Sequence, residues 1–212
     1  MEVMATLTRL LALVRSTGPE DRNQTRVLDA ALLAFLDFGI KRTSMVEVAR
    51  RCGLSLATLY RRFASKSDLI QAVGMRQARQ FVEEVDAAQQ RQVDRDAGAE
   101  DQIVELFVAF LNGLCGNKLL DRLLKTEPEI VLPYLTVKGA PVLELGRDYV
   151  AEFITRLQGE GKLPEYDPEP VAEMIARTAL SLALTPQTVL PLDDDAAIRK
   201  FARDHVVVSF RP

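Results

Sequence analysis

The sequence predicts an all-α protein in which a small N-terminal three-helix head is joined by a long helix to a larger helical body. Apolar residues recur at intervals of three and four along most of the 212 residues, which is the period of an amphipathic helix. Glycine and proline separate these segments, and 48% of the residues are hydrophobic, which is enough to fill a core. Only 206–210 has a strand-like pattern, and that segment is short and terminal. We therefore predict an extension over 1–20, a head over 21–66 and a body over 67–212.

The extension has apolar residues at helical spacing between positions 3 and 14, interrupted by Glu2 and Arg9. It has no small-residue cleavage site and is too short to span a bilayer, so it fits neither a signal peptide nor a membrane helix. Two interpretations stay open. The extension forms an extra helix that packs on the body or on a second copy of the chain, or it forms a mobile arm beside the head.

The head contains two short helices that follow an apolar first helix with almost no spacer. Ser44 can cap a helix over 45–52, and Glu47 three residues later predicts a capping box. Gly53 allows the positive φ with which a helix ends. Ser55 caps the next helix, 56–63, at once. This order of caps and turn predicts a helix-turn-helix.

The helix over 56–63, which we call the reading helix, carries the side chains that suit contact with DNA. Leu59 and Phe63 are four residues apart and are predicted to point inward, which leaves a methyl, a hydroxyl, a phenol and two guanidinium groups outside. Arginine can bind guanine or phosphate in bidentate fashion, and small residues at a helix N-terminus allow close approach to the groove. The predicted DNA contacts are Ser44, Ser55, Leu56, Ala57, Thr58, Tyr60, Arg61, Arg62 and Lys66.

Charge is unevenly distributed between the two parts. Residues 21–66 hold nine Lys or Arg and four Asp or Glu, a net charge of +5, although the whole chain has a net charge of -3. A basic head on an acidic body is typical of a DNA-binding protein with a separate domain for another ligand. Arg50 and Arg51 on the supporting helix fit a solvated face or phosphate contacts. In the arm arrangement of the extension, Arg15 and Arg22 would lie near the DNA.

A set of small, apolar and capping residues recurs at fixed spacing from the apolar first helix to the start of the long helix: Ala30, Ala31, Phe35, Gly39, Thr43 or Ser44, Val48, Ala49, Gly53, Ser55, Thr58, Leu59, Tyr60, Phe63, Lys66 and Leu69. With these residues at this spacing, residues 28–69 resemble the DNA-binding domain of the TetR family of transcriptional regulators. Leu56 stands where that family often has a polar residue, so contact with a thymine methyl replaces hydrogen bonding there. The resemblance covers about a fifth of the chain, and the rest resembles the family in length and helical pattern only.

The body is predicted to begin with a long helix over 67–91, capped by Ser65 and Asp68. Helices over 103–114 and 118–125 follow, and Pro128 then opens a helix that Pro133 bends or stops. The last helix is predicted to run from about 193 to 205. Two further helices, 142–157 and 171–184, have broad apolar faces, and the resemblance implies that this pair forms a homodimer interface.

The apolar faces of the body can form a core, a dimer interface or a ligand cavity, and periodicity does not separate these. The resemblance implies a cavity for a small apolar effector, which would release a repressor from an inverted-repeat DNA operator. The candidate ligand-binding residues are Phe107, Phe110, Leu114, Leu124, Tyr134, Tyr149, Phe153, Met174 and Thr178.

Several classes of protein are disfavoured by what the sequence lacks. Cys52 and Cys115 are too few and too far apart for a disulfide framework or a zinc site, which favours a reducing, cytoplasmic setting. A single histidine, His205, and the lack of a phosphate loop, nucleophile motif or metal cluster argue against an enzyme, a cofactor or a metal site. The alternative to a ligand-responsive regulator is a DNA-binding helical adaptor or nucleoid-associated protein without an effector.

Overall fold

The computed structural model describes residues 9–16, 20–190, 192 and 194–211, and within these ranges it is all-α with no strand. Residues 1–8 of the predicted extension and residue 193, at the predicted start of the last helix, lie outside them. The helices are α1 (Arg9–Ser16), α2 (Arg22–Arg42), α3 (Met45–Cys52), α4 (Leu56–Arg62), α5 (Lys66–Val93), α6 (Ala99–Cys115), α7 (Lys118–Thr126), α8 (Pro128–Leu135), α9 (Ala140–Gly159), α10 (Pro168–Leu184) and α11 (Asp195–Phe201).

The strand-like pattern at 206–210 does not form a strand, in agreement with the predicted all-α fold. A π turn, Ala202–Val206, and a 3-10 turn, Val207–Phe210, continue the helical path of α11 to Phe210. The helical path places Val206, Val207 and Phe210 together in the body core, whereas an alternating strand would turn some of them towards solvent. The short apolar run therefore marked a buried helical end.

Two hydrophobic clusters organise the described chain. The first joins α2, α3 and α4 and is completed from outside them by Leu69 and Val73 of α5 and Leu123 of α7. The second lies within the body and includes Leu11 and Val14 of α1, so the described part of the extension packs on the body. The head core thus reaches past residue 66, where the head was predicted to end.

The long helix α5 connects the clusters. Its 28 residues span about 42 Å. The predicted capping box is confirmed, because Ser65 Oγ accepts the Asp68 N–H at 3.1 Å and the Asp68 carboxylate accepts the Ser65 N–H at 3.0 Å. Buried Arg76 donates to Asp29 of α2 at 2.8 Å, and Arg79 pairs with Glu20 at 2.5 Å. The first ion pair fixes the head side of α5 to α2, and the second fixes it to the segment that leads into α2.

The helices α9 and α10 pack against each other along their length and bury Val150, Ile154, Ala172 and Ala179 between them and the rest of the body. Among the described residues, no single helix is long and apolar enough to cross a membrane, although α6 and α7, bent by 48° at their junction, together meet that criterion of length and composition.

Candidate nucleic-acid interface and apolar cavity

The turn between α3 and α4 has the predicted caps. Gly53 ends α3 in the left-handed region with φ +66°, and Ser55 Oγ accepts the Thr58 N–H at 3.1 Å to begin α4. Ser44 Oγ accepts the Glu47 N–H at 3.2 Å, as predicted. The second half of that capping box is wrong, because the Glu47 carboxylate accepts from Arg50 and Arg51 at 2.8 and 2.7 Å instead.

The reading helix presents the predicted side chains to solvent. Leu59 and Phe63 are buried, whereas Leu56 is 37% and Tyr60 46% exposed. Ala57, Arg61 and Arg62 are also exposed on α4, and Ser44 and Ser55 are exposed caps. The Thr58 hydroxyl lies 2.9 Å from Ser55 Oγ, so it supports the cap in addition to facing outward in part. The helix-turn-helix therefore offers an apolar, phenolic and cationic surface.

The cations of this surface differ in their partners. Arg62 Nη1 donates to Asp21 at 2.7 Å, and this contact is the main cause that lowers the pKa of Asp21. The Lys66 ammonium donates to the Lys41 carbonyl oxygen at 3.2 Å. Arg61 has no ion pair or hydrogen bond to another described side chain, and it is exposed. Arg61 is therefore the guanidinium most available to DNA, and Arg62 must leave Asp21 to contact a phosphate.

A largely apolar cavity of about 320 Å³ lies where the head meets the body. None of the described residues that line it is charged, and its only polar side chains are Gln77 and Asn117. The head side contributes Phe35 and Ile40, and α5, α6, α7, α8, α9 and α10 supply the other walls. These include Ile70, Val73, Phe81, Gly113, Leu119, Leu120, Leu123, Val131, Leu135, Val142, Leu145, Gly146, Ala176 and Leu180.

Of the predicted ligand-binding residues, only Phe110 and Leu114 line this cavity. Phe107 and Phe153 are buried in the body core beside Phe201 and Phe210. Helical periodicity marked them as buried, but these two rings are buried within the core and not against the cavity.

The other predicted ligand-binding residues also lie outside the cavity lining. Tyr149 donates to Asp86 at 2.7 Å, and burial is the main cause that raises its pKa. Leu124 is half-buried away from the cavity, and Tyr134, Met174 and Thr178 are exposed. The last two lie on the outer face of α10, because the inner face of that helix packs on α9 and α6.

Glycines shape the cavity and were not predicted as part of it. A Cβ on Gly113 would lie 2.5 Å from the Phe81 ring, which packs edge-on against Phe110. A Cβ on Gly146 would lie 3.3 Å from the Ala176 side chain, so α9 and α10 approach closely there. Glycine in a predicted helix interior was the available signal, since it lowers helix stability and needs a packing reason.

The head and its surface define a helix-turn-helix DNA-binding protein with an all-α body. Residues 27–73 match the family model for bacterial regulatory proteins of the TetR family. An uncharacterised HTH-type transcriptional regulator of Mycobacterium bovis is 27% identical over 180 residues, which cover 84% of this chain and 90% of that relative. Residues 27–73 therefore form a TetR-family DNA-binding domain, and the curated relatives that this chain matches are described as HTH-type transcriptional regulators.

Solved structures share the fold. The TetR-family repressor AlkX of Dietzia sp., implicated in biodegradation of n-alkanes, has a TM-score of 0.62 at 21% identity, covering 87% of this chain and 96% of its own. FadR of Bacillus subtilis, in complex with stearoyl-CoA, has a TM-score of 0.57 at 15% identity, covering 87% of this chain and 98% of its own. TetR-family regulators bind DNA operators, act as dimers and bind small-molecule ligands.

Proposed function

We propose that this protein is a cytoplasmic, ligand-responsive repressor that binds an inverted-repeat operator as a homodimer and leaves it when a small apolar effector fills the cavity. The observation that carries the proposal is the position of the cavity between the two clusters. Phe35 and Ile40 belong to the head cluster and also line the cavity, so an occupant would touch the DNA-binding head directly.

The chemistry of the cavity walls supports an uncharged, aliphatic effector. A carboxylate or ammonium group taken into this space would find no charged partner among its described residues, and burying an unpaired charge is costly. Gln77 and Asn117 are suited to hold one neutral polar group. The volume of about 320 Å³ lies at the lower end of the range for small-molecule sites. AlkX is implicated in biodegradation of n-alkanes, which are uncharged and aliphatic, and the stearoyl-CoA bound to FadR shares only its aliphatic acyl chain with such compounds, because its CoA group is charged.

Release from DNA requires that the effector bind one head orientation more tightly than the other. A 100-fold loss of operator affinity corresponds to about 2.7 kcal/mol of coupling, which is within the usual allosteric range. By linkage, operator DNA must weaken effector binding by the same factor. The long helix α5 supports this mechanism, because Ile70 and Val73, in about its first two turns, line the cavity, and α5 follows the reading helix after three residues.

The outer face of α9 and α10 supports a homodimer. Met174 is 47% exposed there, with Pro170, Thr178 and Ser181 exposed on the same side of α10. Joining this face to its copy would give a two-fold protein whose reading helices contact half-sites about 34 Å apart, or slightly more.

The test begins with the operator. Purified protein is mixed with sheared genomic DNA of its own organism, and the retained fragments are sequenced; an enriched inverted repeat is the expected result. Calorimetry then measures binding of 1-decanol and of longer and shorter alkanols to the free protein and to the operator complex. Weaker binding to the complex supports the proposal. Equal affinity, or no alkanol binding at all, contradicts it and favours the DNA-binding adaptor or nucleoid-associated protein without an effector.

A further inference from the structure

A buried carboxylate joins the body to the end of the first head helix. Glu127, between α7 and α8, is 7% exposed. Its carboxylate accepts the Ile40 N–H at 2.6 Å and the Lys41 N–H at 3.0 Å. Hydrogen bonds from amides to a carboxylate are stronger than those between neutral groups. Glu127 therefore holds the backbone of the head from a position 87 residues away in the sequence.

The backbone of α2 is shaped for this contact. Helical geometry stops at Gly39, which has φ +80° and ψ 168°, and so the next two N–H groups turn away from the helix towards Glu127. A Cβ at residue 39 would lie 2.8 Å from Glu127 Oε1, closer than such contacts occur. Glycine is thus required by its φ and by the carboxylate together.

The segment that carries Glu127 is also a wall of the cavity. Leu120 and Leu123 of α7 line it before Glu127, and Val131 and Leu135 of α8 line it afterwards. An occupant that displaces either helix must move the residue between them. Only Thr43 and Ser44 separate the held end of α2 from α3, so a shift at Glu127 reaches the helix-turn-helix without an intervening loop.

We infer that Glu127 is the positioning residue through which occupancy of the cavity sets the orientation of the reading helix. This inference rests on the proposed function for the effector that fills the cavity. The positioning of the head by Glu127 does not depend on that function. Besides the apolar packing of Leu123, two other polar contacts join the same elements, an ion pair between Lys41 and Glu129 and a hydrogen bond from Arg122 to the Asp37 carbonyl oxygen. Both are exposed, and exposed contacts of this kind contribute little. Glu127 is the buried one.

The experiment compares Glu127→Gln with Glu129→Gln in the full-length protein by hydrogen exchange and mass spectrometry. Both variants lose one carboxylate, and they lie two residues apart, but Glu129 is exposed and pairs with the Lys41 side chain instead of the backbone amides at 40 and 41. Without any ligand, we expect Glu127→Gln to speed exchange of the amides at 40 and 41 about tenfold and to speed exchange across 44–62 as well. We expect Glu129→Gln to match wild type. Unchanged exchange across 44–62 in Glu127→Gln overturns the inference.

A second arm adds saturating 1-decanol as the probe. In wild type and Glu129→Gln, we expect 1-decanol to slow amide exchange at the cavity walls and also to change amide exchange across 44–62. In Glu127→Gln, we expect it to slow exchange at the cavity walls only. Equal transmission in all three proteins overturns the inference. If the probe protects no cavity wall in wild type, the proposed function fails, and the ligand-free arm still decides the role of Glu127.

Gly39→Ala provides a second variant should Glu127→Gln fail to fold. Its Cβ disturbs the same contact from the other side, so it is expected to speed exchange at 40, 41 and 44–62 while the body core at 103–111 stays protected. Exchange equal to wild type across 44–62 in this variant contradicts the inference.

Discussion

Replacing Asp21 by Asn should strengthen DNA binding by freeing Arg62 of the reading helix. One Asp21 oxygen accepts from Arg62 at 2.7 Å, and the other caps α2 by accepting the Gln24 N–H at 2.8 Å. Asparagine caps a helix about as well as aspartate, so the substitution removes the ion pair and keeps the cap. The ion pair is exposed, so its loss should cost the fold little.

The gain follows from counterion release. One additional phosphate contact steepens the slope of log K against log salt by about 0.9, which at 0.15 M salt raises affinity about fivefold per head. If both heads of a dimer engage one duplex, the effect is squared, to about 30-fold. Fluorescence anisotropy with a labelled duplex of random sequence, between about 50 and 300 mM KCl, measures slope and affinity without knowledge of the operator.

Asp37→Asn is the matched control for this experiment. It makes the same change in head charge, but Arg51, which it releases, stays held by Glu47 at 2.7 Å on the supporting helix. We expect its salt slope to equal that of wild type. The reasoning is refuted if Asp21→Asn leaves the slope unchanged, or if both variants steepen it equally, since the effect would then come from net charge alone.

Two further predictions concern assembly and pH. Met174→Glu should yield a folded monomer in analytical ultracentrifugation, because residue 174 lies on the exposed face of α10. Val150→Glu should instead lower the thermal midpoint sharply, because Val150 is 0% exposed and its glutamate would be buried. A dimeric Met174→Glu protein would exclude this face as the interface. Hydrogen bonds from Arg50 and Arg51 lower the pKa of Glu47 to about 2, so the stability that ionised Glu47 gives to the fold is present above pH 4.5 and disappears as pH falls through 2. Glu47→Gln should therefore melt at a lower temperature than wild type at pH 7 and at the same temperature as wild type at pH 2. A constant difference in melting temperature across that range would contradict the assignment.

Features that depend on a few neighbouring residues could be predicted from the sequence. Ser44, Gly53 and Ser55 define the caps and the turn of the helix-turn-helix within twelve positions, and each has the expected local geometry. The exception is the Glu47 carboxylate, which contacts Arg50 and Arg51 one turn away instead of the N-cap. Capping rules do not consider that the arginines at 50 and 51 compete with the N-cap N–H for the Glu47 carboxylate.

Features that depend on packing between distant segments could not be predicted. Phe107 and Phe110 share an apolar face of α6, but only Phe110 borders the cavity. Periodicity predicts that a side chain is buried, but it does not show whether another side chain or a cavity lies opposite to it. The contact of Glu127 with residues 40 and 41 has no sequence signal beyond a glycine at position 39 in an otherwise helical segment.

The head core that extends into α5 and α7 limits how this protein can be recombined with related ones. A head cut after residue 66 would lose Leu69, Val73 and Leu123, and the apolar surface they cover would face water. A chimera that exchanges effector specificity must therefore move the head together with the first two turns of α5 and with α7. The head, the start of α5 and α7 form one packing unit, so a crossover between related proteins is best placed inside the body.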